Sequence, residues 1–174
     1  MTTAKVFQTH NMAFKGQRIA SFAATVIGLS TLLWAVLLSG TVGGHVLTPG
    51  PWHALPHALS LLSALAVYLY CRHLNYRTSA AGLLCFTAIA FFFSDVALAF
   101  MYSPFFGVAL IAWSASARRP ILAGTGVLAI GAAIVARVEH ESGVLAIAGS
   151  GVMILATALA MRPKNPSMSQ QSAS

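Results

Sequence analysis

Charge is the scarcest thing in this sequence. Asp, Glu, Lys and Arg make up 7% of its 174 residues, and only three of them are acidic. A typical soluble domain is about 25% charged. A soluble fold has too little charge here to cover its surface. Cysteine is nearly absent too. Cys71 and Cys85 stand apart and form no CxxC, which excludes a disulfide framework or a zinc knuckle. Both read as small buried apolar residues. No GxSxG, HExxH, P-loop or GxGxxG is present. With three carboxylates in all, acid–base catalysis has few candidates, and the reading is non-enzymatic. The net charge is +7, yet no basic run or aromatic stacking platform accompanies it, so nucleic acid is not the implied partner.

What the chain has is apolar length. Hydrophobic residues make up 57% of it, and they gather in long runs with charge only at their edges. The composition reads as an all-α integral membrane protein. A helical crossing needs about 20 residues, so six would use about 120 of those between Ile19 and Met161 and leave no room for a folded soluble domain. The expected crossings are approximately 19–39, 55–71, 79–97, 99–117, 120–136 and 142–161, arranged as three hairpins. Residues 1–18 read as a basic cytoplasmic segment, either a short helix on the membrane surface or a disordered lead. Residues 162–174, rich in Ser and Gln, read as a disordered cytoplasmic tail.

The cations set the orientation. Lys and Arg resist translocation and collect at cytoplasmic helix ends. Lys15 and Arg18 precede the first run, Arg72 and Arg77 follow the second, Arg118 and Arg119 follow the fourth, and Arg162 and Lys164 follow the sixth. Six crossings put both termini and all of these in the cytoplasm, and only Arg137 dissents. All three acidic residues then lie outside. A plasma membrane, bacterial inner membrane by default, is the expected location, and the lipid bilayer the first partner.

The stretch 78–117 is the ambiguous one, because Asp95 is its only charge. Read as a hairpin, it turns within Ser94–Pro104. A turn at Ser94-Asp95 makes Asp95 an ordinary solvated residue. A turn at Tyr102-Ser103-Pro104 buries it as an ion or proton site.

Three further features carry expectations. Ala20, Ala24 and Gly28 repeat every four residues, as do Ser142, Ala146 and Ser150; such stripes let helices pack closely. Gly126-Val-Leu-Ala-Ile130 recurs as Gly143-Val-Leu-Ala-Ile147, at different depths in two adjacent runs, which reads as shared apolar vocabulary. Finally, His45, His53, His57 and His140 fall on the outer side with Glu139 and Glu141. Imidazole and carboxylate are ligands for zinc, copper or non-haem iron. The plainer reading is that interfacial loops need polar residues. His57 and His73 stand near opposite ends of the second run and would suit two haems, but each lacks a clear partner histidine within the runs. No cofactor is specified by the sequence.

Two functions compete. One is an accessory or interaction subunit that meets a protein partner, or itself, through exposed helix faces. The other is a small oligomeric channel or transporter, with Asp95 and the outer histidines at its mouth. An outer-face metal-binding protein is a third. The first is favoured, because the runs supply few groups to line a pore.

Overall fold

A computed structural model of the chain describes residues 3–41, 55–76, 79–93 and 103–162. Every regular element among them is an α-helix. There are six: α1 (Thr3–Thr41), α2 (Leu55–His73), α3 (Ser79–Phe93), α4 (Ser103–Ala117), α5 (Pro120–Val138) and α6 (His140–Ala160).

The helix limits follow from local chemistry. Pro56 and Pro104 lie in the first turns of α2 and α4, and Pro120 opens α5. Proline is tolerated there because its missing N–H has no helical partner in the first turn. Helix α2 stops in a Schellman motif. The Asn75 N–H donates to the Arg72 carbonyl at 3.1 Å and the Tyr76 N–H to the Cys71 carbonyl at 3.0 Å. Asn75 itself takes φ 50°, which asparagine adopts more readily than most residues. Helix α4 ends with the corresponding long bond, from the Arg119 N–H to the Ser114 carbonyl at 3.0 Å, but with Arg118 at φ 52°. Glycine holds that conformation without a Cβ penalty. Arg118→Gly is therefore expected to raise unfolding stability by about 1 kcal/mol, measured by denaturation of the purified protein. Helices α5 and α6 are separated by a single extended residue, Glu139.

Helix α1 differs from its expected form. The basic segment before Ile19 is neither a separate surface helix nor an unstructured lead: from Thr3 on it is continuous with the apolar run. Its 39 residues extend roughly 58 Å at 1.5 Å per residue. Between Lys5 and Ile19 the only strong helix breaker is Gly16.

Successive helices pack antiparallel, and α6 returns to lie against α1, closing a ring. Helix α1 also reaches α4 across the ring. The core runs through Ile19, Ala23 and Ile27 of α1, Leu84 and Ala88 of α3, Phe106, Leu110 and Trp113 of α4, Leu122 of α5, and Ile147 and Ile154 of α6. Large apolar side chains also cover the outside. All six helices carry them, with Leu33, Leu62, Phe86, Ile111, Val127 and Leu145 among the exposed.

Two helical segments are long and apolar enough to cross a membrane by themselves: Phe14–Leu37 and Ser142–Ala160, with mean hydropathy 1.9 and 2.1. The apolar portions of the other four are shorter. The described parts of α3 and α4, 15 residues each, rise about 22 Å where the hydrocarbon layer is about 30 Å. Six crossings are expected from charge placement; among the described residues all six elements are helical, and two are long and apolar enough to cross.

Candidate functional site

The antiparallel ring has two ends, and the side-chain contacts show which residues share them. At one end the Lys15 ammonium donates to the Leu74 carbonyl at 3.4 Å, beside the C-terminus of α2. The Gln17 amide donates to the Met161 carbonyl at 3.0 Å, at the C-terminus of α6. Both meet carbonyls left over where a helix stops, and Lys15 also faces the negative end of the α2 dipole. One turn further, the Ser21 hydroxyl donates to the Ala158 carbonyl at 2.8 Å, and Phe22 stacks on Tyr70 with ring centroids 4.1 Å apart. Arg18 lies over the Phe14 ring at 4.6 Å. Helix α4 is antiparallel to α5, and α5 to α6, so the α4–α5 turn with Arg118 and Arg119 lies at this end too. Lys15, Arg18, Arg72, Arg118, Arg119 and Arg162 therefore share one end of the bundle. Arg77 and Lys164 lie outside the described residues.

An open groove of about 970 Å³ enters the bundle at this cationic end, between α2 and α3. Tyr68, Arg72, Asn75, Tyr76, Gly82 and Cys85 line it, together with the buried thiol of Cys71. Both cysteines are free. On the far side of Gly82 lies an apolar recess of about 400 Å³ between α3 and α4, lined by Leu83, Phe86 and Ala112. Sequence reasoning treated the two cysteines as inert filler and missed the groove. Their separation of fourteen positions carries no motif, and only the hairpin brings them to one wall.

The opposite end holds the residues singled out as metal ligands. His57 lies in the first turn of α2, Glu139 between α5 and α6, and His140 and Glu141 in the first turn of α6. The Glu139 carboxylate accepts a hydrogen bond from the Ser142 hydroxyl at 2.8 Å and is solvent-exposed. His45, His53 and Asp95 lie outside the described residues. Among the described residues no three His, Cys, Asp or Glu side chains come together as a metal site.

The small-residue stripes fall as follows. Ala20, Ala24 and Gly28 are all buried. Gly28 receives Leu155 of α6, and Gly151 of α6 receives Leu32 of α1. A Cβ added at Gly28 would stand 2.8 Å from the Leu155 Cγ, and one at Gly151 2.9 Å from the Leu32 Cγ. On α6 the tightest approach is at Gly143, against the backbone of Ala136, one position along from Ser142. Ser142 and Ala146 are half-buried, and Ser150 is buried with its hydroxyl on the Ile147 carbonyl at 2.8 Å. The five-residue repeat has no common packing role. Gly126 opposes Gly107 and Ile111 of α4, whereas Gly143 opposes Ala136 of α5. Gly107, Gly126, Gly143 and Gly151 were missed as packing residues. The available signal was that glycine inside a helix costs about 1 kcal/mol against alanine and needs a packing reason.

Several interior hydroxyls are satisfied within their own helix. The hydroxyls of Thr31, Ser63 and Thr157 donate to the carbonyl four residues back, and Thr125 is shared between two carbonyls of its own helix. Ser30 and Ser63 share a hydrogen bond of 2.8 Å that links α1 to α2. Such bonds hold apolar helices together at about 0.6 kcal/mol each. No family of known proteins, no curated protein and no solved structure matches this chain.

Proposed function

We propose that this chain is a small polytopic membrane protein that crosses the bilayer six times, with both termini in the cytoplasm. In this reading it serves a membrane complex as a non-catalytic accessory or interaction subunit. Its home is the plasma membrane, the inner membrane if the source is bacterial. The observation that carries the membrane reading is a pairing of two features. Exposed large apolar side chains occur on all six helices, and Lys15, Arg18, Arg72, Arg118, Arg119 and Arg162 share one end of the bundle, with Arg137 at the other. Water does not tolerate the first over so wide an area, and the positive-inside rule accounts for the second.

The choice of an interaction role rests on how the interior hydroxyls are used. Thr31, Ser63, Thr125, Ser150 and Thr157 all bond to their own helix carbonyls. A conducting path needs groups that face water instead. The exposed faces of α5 and α6, by contrast, offer apolar surface to another transmembrane chain. Purified protein in sealed vesicles is expected to give no proton or cation flux above that of protein-free vesicles. A flux abolished by Asp95→Asn would establish a transporter and overturn the reading.

A further inference from the structure

We infer that the groove at the cationic end binds one anionic phospholipid, its phosphate on Arg72 and one acyl chain in the recess between α3 and α4. The inference rests on the membrane reading above and adds a ligand site to it. Among the described residues the groove lining offers hydrogen-bond donors and no carboxylate: the Arg72 guanidinium, the Asn75 amide and the Tyr68 hydroxyl. Arg72 makes no ion pair among the described residues. Such a wall fits an anion, and guanidinium matches phosphate oxygens two at a time.

The recess beyond Gly82 has the opposite chemistry, with Leu83, Phe86 and Ala112 on its walls. Gly82 lines both spaces, and a Cβ added there would meet nothing within 4 Å, so no side chain at that position divides them. The order is also that of a lipid in its leaflet. Arg72, Asn75 and Tyr76 stand where α2 ends, at head-group level. Helix α3 starts at this end, so the step from Gly82 to Phe86 runs about 6 Å toward the bilayer middle. Basic pockets between transmembrane helices on the cytoplasmic side are general sites for anionic head groups.

The test uses the full chain in nanodiscs of phosphatidylcholine with or without phosphatidylglycerol. Retained lipid is read by native mass spectrometry. Accessibility of Cys71 and Cys85, the only two cysteines and both on the groove wall, is read with a maleimide. Phosphatidylglycerol is expected to be retained over phosphatidylcholine and to slow thiol labelling. Arg72→Gln should lower its retention about fivefold. Gly82→Leu, which puts a side chain between the two spaces, should lower it as well. Arg119→Gln, a cation at the same end but outside the groove, should leave it unchanged. Both Arg72 and Gly82 are exposed, and an unaltered helical circular dichroism spectrum shows that each variant folds.

Equal retention of the two lipids overturns the site. So does wild-type retention in both variants, or a loss in Arg119→Gln as large as in Arg72→Gln, which marks general surface charge. Protection of the thiols by inorganic phosphate alone overturns the lipid in favour of a soluble anion. A chain that fails to co-float with vesicles overturns the membrane reading and the site together. One that co-floats but shows no lipid preference overturns the site alone.

Discussion

Gly126→Ala is expected to cost about 2–3 kcal/mol of unfolding free energy, while Gly124→Ala on the same helix should gain up to about 1 kcal/mol. The two sites receive the same methyl group and lie half a turn apart. A Cβ at Gly126 would stand 2.7 Å from the Gly107 carbonyl oxygen and 3.2 Å from the Ile111 amide nitrogen. These are backbone atoms of α4, so relief requires the whole helix to move. The relation is mutual, since a Cβ at Gly107 would stand 2.6 Å from the Gly126 carbonyl oxygen. The crossing of α4 and α5 thus depends on two hydrogens where any other residue has a side chain. At Gly124 a Cβ meets nothing within 4 Å, and only the better helix propensity of alanine remains. Denaturation of the purified protein in detergent compares the two directly. Equal destabilisation at both sites would refute the crossing.

The second large effect belongs to the seam between α1 and α6. Gly28→Leu should cost about 3 kcal/mol by driving a side chain into Leu155. The two nearest obstacles, at 2.8 and 2.9 Å, are Leu155 side-chain atoms and can be removed, while the Leu155 backbone nitrogen at 3.2 Å stays. Leu155→Ala in the same chain is expected to restore about 1–2 kcal/mol relative to the sum of the single changes. The same double-mutant cycle built with Leu32→Ala should show no such coupling to Gly28→Leu, since Leu32 seats against Gly151. Additive behaviour in the first cycle would show that Leu155 does not fill the space beside Gly28.

These two crossings also show where the sequence was informative. The start of α5 was legible because Pro120 marks it. The stripe Ala20, Ala24, Gly28 was visible from its spacing of four, and its residues lie buried. What could not be read was which glycines meet which. Gly124, Gly126 and Gly131 look alike on one apolar helix, yet a Cβ would meet neighbours within 4 Å at Gly126 alone. Periodicity distinguishes faces only when they differ in polarity, and α5 presents apolar residues on every side. The same uniformity hid the groove. Nothing local links Cys85 to Arg72, and the tertiary turn through Asn75 brings them to one wall. Of the four histidines expected on the outer side, His57 and His140 lie at one end of the bundle, while His45 and His53 lie outside the described residues.

The proposed six-crossing topology assigns each helix end to one side of the membrane. Reporters fused after residues 75, 118, 139 and 162 read this without reference to packing. The prediction is a cytoplasmic signal at 75, 118 and 162 and an external signal at 139. An external signal at 118 together with a cytoplasmic one at 75 would contradict it, because Arg72 and the Arg118-Arg119 pair would then lie on opposite faces of the bilayer.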